Sequence, residues 1–398
     1  MMTRSPPTHP RPPLLDTPSK RTRNLVAVIS SMVVVNLVYG ITLPLLSLVL
    51  DGQGISKTMI GLSIVAQACP GIFLAKIMPR LITRIGAGRI MQRATLLSAS
   101  TMIALGLVQD IYAWFPLRFL LGTAGAILWA SSEALINELV EDKWRGRIIG
   151  VYGSVGAAGF AIGPLVLIMT GTGGFLPFGV TAAIIAIAGL PLIMLDNAAP
   201  HDDREHAVSL RRIFRLVPHV MLSNLTYAAA TEGFLAFFPL FGINIGLSEA
   251  RSLSLLTTFA LGGVVLQLPL GWLADIVRRE SLLLACVLLT ILGKLCLPTL
   301  VPMDVAGPAF MFGLGGAEGM IYALGVMLLG QQFRGAELAA ATVLFTGMWA
   351  GGMIAGPVIV GAGMDLLGDT WMAYLIAALY LCYVPVLVFR RKWAAMTD

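Results

Sequence analysis

ILWASSEALI, residues 127–136, is an apolar run with a carboxylate in it. It lies inside a longer stretch, residues 112–140, whose charges are Arg118, Glu133 and Glu138. A helix needs about 20 apolar residues to cross a bilayer core of about 30 Å. The stretch satisfies that length, and the rest of the chain shows the same pattern. The 398 residues are 57% hydrophobic and 12% charged, with a mean hydropathy of +0.85. Soluble domains carry about a quarter charged residues. The composition therefore predicts an integral membrane protein, and the 43 glycines suit the close helix packing that lipid requires.

Polar breaks divide the chain into twelve apolar segments: residues 25–49, 57–78, 90–109, 112–140, 148–171, 174–195, 216–244, 251–271, 281–300, 306–331, 337–363 and 370–389. Short breaks near Asp110 and Gly173 predict tight hairpins. The longest interior polar stretch, DNAAPHDDREHAVSLRRIFR at residues 196–215, falls after the sixth segment. The expected fold is all-α and membrane-embedded, with twelve transmembrane helices in two pseudo-symmetric six-helix halves. Residues 1–24 form an N-terminal tail, 25–195 the first half, 196–215 a linker, 216–390 the second half and 391–398 a C-terminal tail. The first 24 residues are Pro-rich and basic, without the apolar core of a cleavable signal peptide, and read as a disordered tail.

The net charge of +6 is a topology signal rather than a nucleic-acid footprint. With the N-terminus placed inside, 23 of the 27 Lys and Arg residues fall in the inner loops and tails. Lys57 and Arg251 fall outside, and Arg118 and Lys294 lie within helices. That asymmetry is the positive-inside rule. It places both termini in the cytoplasm of a multi-pass protein of the bacterial inner membrane. Cys69, Cys286, Cys296 and Cys382 sit in apolar runs without paired spacing and predict neither a disulfide framework nor a metal site. No phosphate loop, zinc spacing or nucleophile triad appears, so neither an enzyme nor a cofactor is expected.

The halves repeat each other. LLGTAGA at residues 120–126 matches MFGLGGA at 311–317, an offset of 191, and GFAIGP at 159–164 matches GMIAGP at 352–357, an offset of 193. Paired halves predict a transporter whose site lies near the midplane where they meet.

Four local patterns then carry a resemblance to the major facilitator superfamily, over residues 25–390. GWLADIVRR at 271–279 resembles the superfamily's G-x-x-x-D-x-x-x-R loop signature, with Asp275, Arg278 and Arg279. PRLITRIGAGR at 79–89 keeps its R-x-G core at Arg84 and Gly86, with Pro79 and Thr83 where Gly and Asp are usual. RFLLGTAGA at 118–126 is similar to the helix-4 R-x-x-x-G motif. GFAIGP resembles the start of an antiporter motif, without its trailing glycines. RFLLGTAGAILWASSEALI followed by RGR is most similar to the YcaD-like branch. The resemblance implies that the first, fourth, seventh and tenth helices line a central cavity open to alternate sides. It also implies a cytoplasmic latch in which Asp275 faces Arg145 and Arg147 before helix 5. Gly159, Gly163, Pro164, Gly352, Gly356 and Pro357 are the expected gating positions.

Charges inside a bilayer are costly and default to functional readings. Glu133, Arg118, Glu232 and Glu318 fall on the implied cavity helices. Lys294 lies near the outer end of a peripheral helix, where snorkelling to the interface is the expectation. Arg118 and Glu133 stand about 22 Å apart along one helix and cannot pair. Glu133 therefore faces a cavity, meets another helix or carries a proton, and a carboxyl held from water takes up a proton more readily. Tyr322, one turn beyond Glu318, is its expected hydrogen-bond partner. Glu232 sits in TEGFLAFFP, whose aromatics Phe234, Phe237 and Phe238 mostly read as packing. Asn36 and Tyr39, one turn apart on the first helix, are candidate substrate contacts, with helix-to-helix glue as the rival reading of Asn36. Arg118 is expected to hold an anionic group or a carboxylate of another helix.

Three acids against one Arg predict a proton-coupled exporter of a cationic or zwitterionic amphipathic compound. Uptake of a small polar or anionic solute anchored by Arg118 is the alternative, and a non-transporting sensor with the same fold is another. The partners expected are a small solute, protons and the bilayer, with the protein a monomer and no nucleic acid bound.

Overall fold

The computed structural model describes residues 18–75, 77–108, 110–140, 145–195 and 209–394. Most of the expected tail at 1–24, the core of the linker at 196–208 and the last four residues lie outside the described residues. Fifteen α-helices follow in order: α1 (Pro18–Gly52), α2 (Lys57–Ala75), α3 (Met78–Ile85), α4 (Ala87–Leu107), α5 (Ile111–Leu139), α6 (Arg145–Thr170), α7 (Leu176–Ala188), α8 (Leu210–Leu216), α9 (Pro218–Asn244), α10 (Glu249–Val265), α11 (Gln267–Ile276), α12 (Arg279–Leu300), α13 (Ala306–Gln332), α14 (Gly335–Leu367) and α15 (Met372–Ala394). Twelve spans are long and apolar enough to cross a membrane, α10 and α11 together making one of them.

Helix ends follow local chemistry. The Asp110 carboxylate accepts from Ala113 N–H and starts α5; Ser248 Oγ accepts from Arg251 N–H and starts α10. These side chains satisfy amide groups that the first helical turn leaves unpaired. The α10–α11 break at Leu266 precedes Pro269, whose ring excludes the carbonyl four residues back. Gly86 joins α3 to α4 with φ 88°, a backbone conformation that suits glycine. This is the glycine of the R-x-G core, and Arg84 beside it is exposed.

Each half packs in the same way. In the N-terminal half α6 lies on α1 and α5 on α2; in the C-terminal half α14 lies on α9 and α13 on α10. Glycines set these approaches. A Cβ on Gly163 would stand 2.4 Å from the Gly40 carbonyl carbon of α1, and one on Gly356 would stand 2.0 Å from the Ala229 oxygen of α9. Gly159 and Gly352 likewise abut α1 and α9. The glycines expected to gate are therefore seated in seams inside each half. Gly122 abuts the Gln67 carbonyl of α2 and Gly315 the Phe259 carbonyl of α10. That makes the structural offset on this helix pair 193 (315 less 122). The sequence match at 191 aligned Gly122 with Gly313, which faces open space, so the register shifts by two residues.

The halves meet through α2 on α14, α6 on α10 and α1 on α9. Their close approaches lie at the end of the bundle bearing Asp51, Asp365, Asp369 and Glu249, here the acidic end. The Asp365 carboxylate of α14 accepts from Lys57 N–H at 2.9 Å, Thr58 N–H at 2.8 Å and the Thr58 hydroxyl at 2.6 Å. It thereby caps α2 across the junction. Lys57 Nζ adds Asp51 at 2.8 Å and Asp369 at 3.5 Å, and the Thr172 hydroxyl meets Glu249 at 2.8 Å. At the opposite, basic end α3 packs on α2, α4 and α5, and α11 on α10, α12 and α13, each within its own half.

Candidate functional site

Between the halves, the wall from the C-terminal half is aromatic. Tyr227 of α9, Tyr322 of α13 and Trp349 of α14 interlock at ring-centroid distances of 5.4 to 6.1 Å, and Phe345 backs Tyr322 at 5.6 Å. Tyr322 is 38% exposed, and Tyr227 and Trp349 are half-buried. Glu133 of α5 is exposed, accepts from the Trp129 indole one turn back, and lies within electrostatic reach of the Tyr322 hydroxyl opposite. Glu133 thus comes from the N-terminal half to face an aromatic wall. The wall packs too tightly for a group to enter between its rings, so an occupant would lie on its open face.

Glu232 is 6% exposed, and its Oε2 has no hydrogen-bond partner among the described residues. It lies within electrostatic reach of Tyr39 on α1, at the seam between the halves. Tyr39 is half-buried and its ring lies 3.8 Å from where a Gly125 Cβ would stand. Asn36 donates to the Met32 carbonyl in its own helix and its Nδ2 lies 3.0 Å from where a Gly156 Cβ would stand. That position is in the α1–α6 seam, which favours the gluing reading of Asn36.

Lys294 corrects the sequence reading. It is 0% exposed and does not snorkel. Its Nζ lies 2.7 Å from Glu318 Oε2, 3.3 Å from the Phe234 ring centroid and 4.9 Å from that of Phe259. The residue faces inward because α12 packs on α13 and α15, which turns this face of a peripheral helix toward the core of its half. Glu318 is 1% exposed, and its Oε1 accepts from the Thr231 hydroxyl at 3.1 Å and the Tyr380 hydroxyl at 3.2 Å. The expected Glu318–Tyr322 bond is replaced by these two. Tyr322 belongs to the aromatic wall, while Glu318 points into the C-terminal half. Phe234, Phe237 and Phe238 are fully buried, as their packing reading required, but Phe234 also carries the Lys294 ammonium on its face.

Arg118 contrasts with Lys294. It is 0% exposed, and none of its three guanidinium nitrogens has a hydrogen-bond partner among the described residues. The structure gives it neither the cleft exposure nor the carboxylate expected of it. Asp275, at the basic end, is 70% exposed and meets Arg279 at 3.4 Å, one turn on. Arg279 donates to the Met327 carbonyl at 3.3 Å, and Arg278 precedes α12. Arg145 and Arg147 begin α6, but their side chains lie outside the described residues.

The sequence reading missed Lys294 as a core residue, and with it Thr231, Tyr380, Tyr227, Trp349 and Asp365. One usable signal was present. Lys294 is a charge deep in an apolar run, and the default for such charges is an interior partner.

Comparison with known proteins places this arrangement. A family model described as Major Facilitator Superfamily matches residues 28–254 and 220–394. The MFS-type transporter YfkF of Bacillus subtilis is 26% identical over 370 residues, covering 90% of each chain. The MFS-type transporter YcaD of Escherichia fergusonii is 24% identical over 312 residues, 77% of this chain and 80% of that one. A crystal structure of a mutant of the nucleoside transporter NupG superposes with a TM-score of 0.76 at 13% identity, covering 92% of this chain and 99% of that one. A second NupG structure gives 0.72 at 16% identity, covering 94% and 99%. At these identities the NupG structures speak for the fold alone.

Proposed function

The chain belongs to the Major Facilitator Superfamily and is a membrane transporter; from that premise we propose that it exports a cationic or zwitterionic amphipathic compound in exchange for protons. One observation carries the reading. Away from the Asp365 clasp, the carboxylates Glu133 and Glu232 face the junction of the halves beside an aromatic wall, while Arg118 is fully buried. A cationic head finds carboxylates there, and an apolar or planar body finds the open faces of Tyr322 and Trp349. Ring faces attract cations as well. The buried Arg118 weakens the alternative of anion uptake.

The excess of Lys and Arg puts the basic end, and both termini, in the cytoplasm of a bacterial inner membrane, with the protein acting as a monomer. The clasp around Asp365 then closes the outer side and the cleft faces inward. The glycine seams with Pro164 and Pro357 allow α6 and α14 to shift against α1 and α9. Asp275, Arg278, Arg279, Arg145, Arg147, Arg84 and Gly86 form the inner gate when the cycle turns over.

The test is thermal unfolding of the purified protein with tetraphenylphosphonium, uridine or benzoate, at an acidic and an alkaline pH. A ligand at about 100 times its dissociation constant adds about 2.7 kcal/mol. Stabilisation by the phosphonium that weakens in acid, and disappears in Glu133→Gln and Glu232→Gln, supports exchange. Stabilisation by benzoate that strengthens in acid overturns it in favour of uptake, and a response to uridine alone overturns the cationic cargo.

A further inference from the structure

We propose that Glu232 is the acid that carries the coupled proton, held while α1 and α9 are closed over it and released when that seam opens, and that Glu133 is the standing negative charge for the cargo. The inference rests on the proton-coupled reading above and deepens it, since that reading left the two carboxylates with one shared role.

Its neighbours on α9 fix where Glu232 points. Thr231 meets Glu318 of α13 at 3.1 Å, and Tyr380 of α15 reaches the same carboxylate. A Cβ on Gly233 would stand 2.8 Å from Val360 Cγ2 of α14. Phe234 lies on Phe259 of α10, with ring centroids 4.8 Å apart. Successive side chains turn by about 100° around a helix. Three sides of α9 are therefore taken by its own half, and the fourth, where α1 of the other half packs, is left to Glu232. Tyr39 of α1 accordingly lies within electrostatic reach of it. The residue is 6% exposed and its Oε2 has no hydrogen-bond partner among the described residues.

The titratable groups around Glu232 are Tyr39 from α1 and Tyr227 from α9 itself, and neither brings a positive charge. On the other elements against α9, Glu318 of α13 is committed to Lys294 of α12 at 2.7 Å and to the Tyr380 hydroxyl of α15, while α14 and α10 present Val360 and Phe259. A carboxylate removed from water with neither a cation nor a donor to hold its charge is costly as an anion, and taking up a proton removes that cost. The three acids of the cavity helices therefore stand in three surroundings. Glu318 has a cation and two donors, which suit its charged form. Glu133 is exposed and keeps its charge in water. Glu232 has neither, and in the closed seam it is the neutral acid. Carboxyl groups set apart in this way take separate roles. When α1 and α9 part, water wets Oε2, the O–H bond breaks, the proton leaves on water, and the electron pair stays as a carboxylate that a cationic cargo can meet. Closing without cargo takes one proton back from water. Proton and cargo thereby exclude one another at Glu232, while Glu133 attracts the cation in either case.

Infrared difference spectroscopy of the full-length protein, stepped from neutral to alkaline pH without cargo, reads the carboxylic acid C=O stretch directly. The expected result is loss of an acid band in the wild type, in Glu133→Gln and in Glu318→Gln, and no such band in Glu232→Gln. If the band survives Glu232→Gln, or vanishes with Glu133→Gln instead, the assignment falls. Should Glu232→Gln not fold, Glu232→Asp shortens the side chain and should shift the band's frequency; an unmoved band overturns the assignment equally. A second reading follows the coupling. Tetraphenylphosphonium added to the weakly buffered protein at neutral pH should release protons from the wild type and none from Glu232→Gln, as a pH dye reports. Binding without release in the wild type would overturn the role given to Glu232. The infrared result needs no cargo, so it is independent of the phosphonium test of function. An acid band assigned to Glu232 beside pH-independent cation binding would sink the exchange reading and leave the neutral Glu232 standing.

Discussion

Arg118 and Lys294, one in each half, are the Lys and Arg side chains that lie fully buried among the described residues. Their surroundings are opposite. Lys294 has a carboxylate at 2.7 Å and two ring faces; Arg118 has no hydrogen-bond partner for any guanidinium nitrogen among the described residues. A cation compensated in this way is part of the packing of its half. A cation left unsatisfied costs stability in the conformation described. The contrast separates a satisfied buried cation, Lys294, from an unsatisfied one, Arg118.

The contrast can be broken by substitution. Lys294→Met leaves Glu318 as a buried carboxylate without its cation and should cost about 3–5 kcal/mol of stability, the range for one lost partner of a buried pair. Adding Glu318→Gln to it should recover most of that loss, as chemical unfolding in detergent would show. Arg118→Met should act with the opposite sign. Relieving unsatisfied buried donors is worth about 1–3 kcal/mol, so the variant should be at least as stable as the wild type while proteoliposome transport is lost. A destabilised Arg118→Met would mean that the guanidinium is already partnered, and the comparison would collapse. Phe234→Leu keeps the volume nearly constant but removes the ring under Lys294, and should cost about 2 kcal/mol, the value for a desolvated cation–π contact. Tyr380→Phe removes one donor to Glu318 while Thr231 and Lys294 remain, and should cost about 1 kcal/mol. If Tyr380→Phe proved the costlier of the last two, the hydroxyls rather than the rings would carry the site.

Much of the fold was legible because bilayer thickness imposes a length that apolar runs betray. The twelve segments match the twelve spans within a few residues, except where a break carried structure of its own. Residues 78–85 and 210–216 form the short helices α3 and α8, too brief to show as periodic runs. The segment at 251–271 is divided at Leu266 and extends to Ile276. The candidate site was less legible. Glu133 and Glu232 come within electrostatic reach of Tyr322 and Tyr39 of the opposite halves; they were nominated as charges within apolar segments, on helices that the family resemblance places around the cavity. Lys294 failed because distance from a helix end says nothing about which face is covered by α13 and α15. Tyr322 failed as a partner of Glu318 because helical spacing brings two residues to one side without fixing their rotamers, and Thr231 and Tyr380 from other helices took the carboxylate first. Asp365 was invisible for the same reason. Its partners, Lys57 and Thr58, are more than three hundred residues away in sequence.

At the acidic end two glycines face backbone across the junction. A Cβ on Gly61 would stand 2.4 Å from the Pro357 oxygen, and one on Gly361 would stand 2.3 Å from the Lys57 oxygen. Neither neighbour is a side chain that can swing aside. A single methyl group at Gly361 is therefore a wedge, driven between the halves beside the Asp365 clasp. Such a variant gives the experimenter a handle on the conformation, since it should hold the molecule ajar at its acidic end and fix the face that a conformation-selective nanobody would recognise.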